Sequence, residues 1–216
     1  MANNAPVIPG AIMLDRVLAS IQEALVDRVS WLDVAFGRAQ RIVRTTAGGR
    51  RITTPNVYCG GWQGHGPNDY IEVSPDAEIG NFSFFSIEDP QTIGPGPWMR
   101  TIQAPFGLVV WFDLRRVYGS ATNRNTERLK EDVLRVLTGR SGWAIPAGHI
   151  ELAQIYEQSQ NIYRGYSLDE VDNQFLMHPY GGFRIEGVLT FAEPCDETLN
   201  ETPDETPVET SNENEL

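Results

Sequence analysis

Two stretches of this chain repeat apolar residues at helical spacing. In "AIMLDRVLASIQEALVDR", residues 11–28, the positions Met13, Val17, Ile21, Ala24, Leu25 and Arg28 fall on one side, and Asp15, Arg16, Gln22 and Glu23 fill the others. That spacing predicts an amphipathic helix starting after Pro9-Gly10. In "NTERLKEDVLRVLTG", residues 125–139, Leu129, Val133, Val136 and Leu137 share a face. Asn125 or Thr126 can cap its start, and Gly139 can end it. A third helix is expected over 150–164.

The rest of the pattern has the period of strands. Two β-prone runs, "RIVRTT" and "RITTPNVY", flank Ala47-Gly48-Gly49 and predict a hairpin. "YIEVSPDAEIGNFSFFSIED" reads as two strands joined by Ser74-Pro75-Asp76, with Phe82, Phe84 and Phe85 assigned to the core. "FGLVVWFDLRRVY", residues 106–118, has an unbroken apolar centre, the mark of a strand buried on both faces. The closing run "FLMHPYGGFRIEGVLTF", residues 175–191, turns at His178-Pro179 and Gly181-Gly182, then alternates. Phe183, Ile185 and Gly187 take one face. Arg184, Glu186 and Val188 take the other, so Arg184 and Glu186 are expected on the wetter side and His178 at a corner.

Strands cluster before the second helix instead of alternating with helices. The expected fold class is therefore α+β: a mixed, mainly antiparallel sheet with helices packed on one face. Two loops stand out. "CGGWQGHGPND" carries four glycines within residues 59–69, lacks the phosphate-loop pattern and is not followed by a helix. "PQTIGPGPWMRTIQAP", residues 90–105, carries four prolines and Trp98; a loop of that length suits function or assembly.

Composition then divides the chain. Residues 1–193 are expected to form one α+β domain. Residues 194–216 hold eight acidic and no basic residues; removing those eight from the total of −12 leaves −4 for the body. That acidic, proline-bearing tail is expected to be disordered and to repel nucleic acid and anionic membrane. The basic residues are sixteen arginines and Lys130. Cys59 and Cys195 stand far apart, with no CxxC spacing to suggest zinc or redox chemistry. No signal peptide and no long apolar run is visible, so the expected site of synthesis is the cytoplasm.

Candidate chemistry is sparse. His65, His149 and His178 have neither HxH nor HExxH spacing. Asp69, Glu72, Asp76 and Glu78 lie close in sequence, yet Asp76 follows Pro75 in a turn, where aspartate caps its own backbone. "YGSAT" fails the GxSxG elbow. No cofactor is implied. The one basic concentration, Arg38, Arg41, Arg44, Arg50 and Arg51, is expected to meet the acidic surface of another subunit.

A resemblance adds to this reading. "IPGAIMLDRVLASIQEAL", "WLDVAFGRAQRIVR", "TPNVYCGG", "YIEVSPDAEIGNFSFFSIEDPQ", "APFGLVVWFDLRRVY" and "LDEVDNQFLMHPYGGFRIEGVLTF" resemble an uncharacterised family from phages and prophages of Bacteroidota, over residues 8–192. The element order is also similar to that of phage tail terminator proteins. That likeness implies a non-enzymatic virion protein at the head–tail junction: a subunit of a ring, usually hexameric, that caps the tail tube and meets the neck and connector proteins. DNA would pass through such a ring without sequence-specific binding, and no membrane is involved. The family carries no catalytic motif to transfer. The expected subunit contacts are Arg38, Arg41, Arg44, Arg50 and Arg51, with Trp98, Met99 and Arg100 of the 90–105 loop. Three alternatives follow from the residues: a head-completion or neck connector protein; a metal-dependent hydrolase using His65, His178 and the 69–78 carboxylates; and a binding module presenting Trp62, His65 and Trp98 to a ligand.

Overall fold

The chain runs α1 (Met13–Arg28), β1 (Val34–Arg38), β2 (Gln40–Thr45), β3 (Arg51–Tyr58), β4 (Tyr70–Glu72), β5 (Phe82–Ile87), β6 (Thr92–Gly94) and β7 (Met99–Asp113). It continues with α2 (Leu114–Tyr118), α3 (Thr126–Leu137), β8 (Gly148–Tyr156), α4 (Ser159–Ile162) and β9 (Tyr180–Pro194). The computed structural model describes residues 4–76, 78–94, 99–140 and 148–194. Trp98 and residues 195–216, which include Cys195 and all of the acidic tail but Pro194, lie outside the described residues. No helix among those residues is long and apolar enough to cross a membrane.

The strands form two sheets. The larger has the order β1-β5-β7-β9-β8, with β6 also on β7; β1 and β5 are parallel and every other pair is antiparallel. The smaller is the antiparallel sheet β2-β3-β4. The fold is thus α+β with a mixed, mostly antiparallel sheet. β7 and β9 are its axis, paired from Met99↔Pro194 through Asp113↔Tyr180. Pro105 survives inside β7 because its carbonyl accepts from Glu88 N–H, which places its missing donor on the same edge. There β6 has ended at Gln103 and β5 begins at Phe106, so no ladder bond is lost.

Alternation along β7 builds two cores. Ile102, Ala104, Phe106, Leu108, Val110 and Phe112 pack with α1 and α3. Val109 and Trp111 face the other way, into a cluster with Phe36, Val57, Phe82, Phe84, Ile162 and Tyr163. Burial of each such large side chain contributes about 1.5–3 kcal/mol. The strand is therefore apolar throughout its centre because both faces are covered, as its sequence pattern predicts. α1 and α3 take one face. The second is covered by the small sheet, α4 and the segment after it, so the expectation that all helices share one face holds for α1, α2 and α3 and fails for the single turn α4.

Several boundaries differ from expectation. The 150–164 segment is strand β8 followed by the single turn α4, not a helix. The 90–105 loop is largely a hairpin, β6 with the first residues of β7. The two strands of 70–87 are present but belong to different sheets: β4 to the small one, β5 to the large one. Residues 114–118 leave the strand as α2. Gln22, expected on the polar side of α1, is buried, and its Nε2 donates to the carbonyls of Pro6 and Ala35, each at 2.9 Å. The 40–58 hairpin, α1 and α3 stand where the pattern puts them. Asn125 caps α3 through Arg128 N–H, and Gly139 follows its end at φ +68.

Candidate functional site

Arg184 is the largest fully buried side chain among the described residues, at 0% exposure. Its position on β9 faces the second core. There β7 offers Gly107, across which the guanidinium lies: a Cβ on Gly107 would meet Arg184 Cζ at 2.2 Å. Glycine is required by that close approach. Arg184 Nη2 donates to Glu88 Oε1 at 2.6 Å and Nε to Glu186 Oε1 at 2.7 Å. Each carboxylate takes a second arginine: Arg41 Nη2 donates to Glu88 Oε2 at 2.8 Å, and Arg164 Nη2 to Glu186 Oε1 at 2.6 Å. Ser86 donates to Glu88 Oε1 at 3.1 Å.

Burial pushes the Glu88 carboxyl up, but the hydrogen bonds and charges of Arg41 and Arg184 together outweigh it and hold the group below its ordinary value. Arg41 in turn is raised by Glu88. The network ties β2, the end of β5, β9 and the 164–166 segment together. Three guanidinium groups meet two carboxylates, which suits a clamp better than a reaction centre. Arg184 Nη1 has no partner among the described residues.

A cavity of about 280 Å³ opens where β8 stops pairing, beyond Tyr156↔Arg184. Gly181, Gly182 and Phe183 of β9 form one wall. Trp111, Tyr163, Phe175 and Tyr180 form the aromatic sides, and Thr126, Ser159 and Glu157 are the polar groups. Trp111 stacks on Tyr180 at 5.3 Å, and its indole N–H donates to the Phe175 carbonyl at 3.1 Å. Glu157 is held by Lys130, which Glu127 also pairs at 2.6 Å. Tyr163 hydroxyl is buried without a partner among the described residues, and burial pushes its phenol well above the ordinary value.

The residues singled out from sequence are dispersed. Arg38 ends β1, 3.6 Å from Asp15. Arg44 pairs with Glu170 at 2.5 Å and Glu72 at 3.4 Å, and Arg50 with Asp169 at 3.0 Å. Arg51, exposed at the start of β3, makes no ion pair among the described residues. Most of this basic segment therefore folds back onto the chain's own carboxylates. Met99 and Arg100 open β7 and are exposed.

Trp62 packs edge-on against Phe36 at 5.4 Å, a contribution to the second core, while His65 is exposed just after that turn. His178 Nε2 donates to the Ala121 carbonyl at 2.6 Å, a corner contact. Asp69 accepts from Gly66 N–H at 2.6 Å, and Asp76 accepts from Glu78 and Ile79 N–H, both at 2.8 Å. These carboxylates serve turns, as the sequence reading of Asp76 anticipates. No group of three His, Cys, Asp or Glu able to hold a metal ion occurs among the described residues.

Alternation with Phe183 and Ile185 predicts Arg184 on the wetter face, and the structure reverses this. β9 is an inner strand whose two faces are both covered at Arg184, a fact its own residues do not carry. The signal that points to it lies elsewhere: Gly107 inside an otherwise apolar strand marks a close approach.

Compared with models of known protein families and with curated protein sequences, the chain matches none.

Proposed function

We propose that this chain is a non-enzymatic structural subunit of a virion, placed at the head–tail junction as a tail terminator or tail-completion ring subunit. One observation carries the reading. The large sheet extends beyond its cover. Past Pro105, the face that holds Val109 and Trp111 in the core presents Thr101 and Gln103 of β7 beside Thr190 and Ala192 of β9, with Thr101 and Gln103 exposed. The β6–β7 hairpin at this end also exposes Ile93, at 66%, and Met99, at 47%.

The other face of the same strands is packed, down to the Arg16–Glu193 ion pair at 3.0 Å. A rigid sheet, anchored on one side and open on the other, is suited to contact with a neighbouring subunit or with the end of a tube. Standard interfaces bury roughly 800 Å² per partner, which a few such strands can supply. The family resemblance and the element order point the same way. Partners under this reading are further copies of the chain, the tail tube protein and the neck or connector proteins.

Mass spectrometry of purified tailed particles tests it. The chain is expected at a few to about a dozen copies per particle, in proportion to the tube protein. Particles that assemble without it would overturn the proposal.

A further inference from the structure

The two sheets have outer edges of unlike condition. The β1 edge of the large sheet is closed: Asn4 bridges Val34, Asn4 N–H donates to Asp33 O and Ala35 N–H to Asn4 O, and Gln22 takes the Ala35 carbonyl. The opposite edge, β8, pairs only with β9. All six residues of β2, the longer of the two edge strands of the small sheet, are exposed, and it pairs only with β3. Natural proteins guard such edges with inward charges, prolines or covering segments. Here β2 leaves Ile42 at 41% and Val43 at 50% exposure, while Arg41 and Arg44 turn to carboxylates of their own chain. β8 leaves Ile155 at 43%.

The β2 and β8 edges differ in charge. Residues 38–51 hold five arginines and no carboxylate; residues 148–157 hold Glu151 and Glu157 and neither lysine nor arginine. Glu151 is 74% exposed and has His149 as its neighbour at 3.3 Å. Two copies joined β2 to β2 in a centred antiparallel pair would set Arg41 or Arg44 diagonally across from its own copy, like against like. Two β8 edges would bring Glu151 near its own copy. Joining β2 of one copy to β8 of another removes both repulsions.

We infer that β2 of one copy adds to the outer edge of β8 of the next, forming a continuous sheet across the subunit boundary. Such a contact is heterologous, and heterologous contacts close into rings or grow into filaments. The inference rests on the ring reading above and names its interface. Six residues of β2 span roughly 20 Å, within the length of β8. Ile42 or Val43 is then covered by β8, and Arg44 gains access to Glu151.

The test uses the full chain. Native mass spectrometry and light scattering measure the assembly of wild type, Val43→Lys and Ile155→Lys. Both positions are exposed, so the monomer is expected to keep its melting temperature, and each variant is expected to raise the dissociation constant at least tenfold. In a Cys195→Ser background, Val43→Cys and Gln154→Cys proteins are mixed with a short bismaleimide. Cross-linked dimer is expected in the mixture and not from either protein alone. Wild-type assemblies that persist unchanged in both lysine variants would overturn this interface and leave the ring reading standing. So would cross-linking of Val43→Cys with itself. A wild type that stays monomeric at every concentration and on purified tail tubes would overturn both.

Discussion

Replacing Arg184 with alanine is the most informative single change. The side chain is fully buried and holds Glu88 at 2.6 Å and Glu186 at 2.7 Å. Removing one partner of a buried ion pair costs about 3–5 kcal/mol, because the remaining charge is stranded. Here each carboxylate retains another arginine, Arg41 or Arg164, so the lower end, about 3 kcal/mol, is expected. Total stability for a domain of this kind is about 5–15 kcal/mol. Gly107→Ala supplies the control. Its Cβ would sit 2.2 Å from Arg184 Cζ, so in wild type it must expel the guanidinium, and in Arg184→Ala it enters space already vacated. The two substitutions are therefore expected to be less than additive by at least about 1 kcal/mol. Urea unfolding followed by tryptophan fluorescence measures all four proteins, with the m-value as the check on two-state behaviour. An Arg184→Ala cost below about 1 kcal/mol, or strict additivity with Gly107→Ala, would refute the clamp.

Other outcomes follow from the same geometry. Glu88 is held below its ordinary value of 4.5, so its stabilisation is complete above that value and is lost as pH falls through the lower folded-state value. Acid unfolding of Glu88→Gln should accordingly show a shallower loss below about pH 4.5 than wild type, and an unchanged slope would contradict it. Tyr163 carries a buried hydroxyl without a partner among the described residues; Tyr163→Phe should leave stability unchanged or raise it by up to about 1 kcal/mol, read from the urea midpoint. A loss larger than that would mean the hydroxyl is engaged. Asn81 donates to the Trp31 carbonyl at 2.7 Å and accepts from Asp113 N–H at 2.8 Å, so Asn81→Ala should cost about 2 kcal/mol in the same assay, and a neutral result would show that water replaces both bonds.

Much of this was legible in the chain, for identifiable reasons. α1 and α3 repeat apolar residues over several turns, and β7 is apolar on both faces, so local pattern and tertiary environment agree. β8 is different. A register shift between Leu152 and Gln154 inserts a residue into the ladder, so Leu152, Ile155 and Tyr156 recur at three and four, the spacing of a helix. The edge position adds exposed polar residues, which strengthens the same misreading. Arg184 was missed because period two shows which residues share a face and not what covers it. Its cover comes from β2, the end of β5 and the 164–166 segment, all distant in sequence. The arginine cluster was visible as composition, but its partners Glu88, Glu170 and Asp169 were not, since side-chain pairing over such separations leaves no local trace.

The most direct test of the central claim is immunogold labelling of tailed particles from the organism that encodes the chain, with antibody raised against this protein. Gold at the junction between head and tail is the result expected of a terminator or tail-completion ring. Gold confined to the capsid, the tail tip or the fibres would contradict the junction assignment, and intact particles without label or peptide would contradict a virion role altogether.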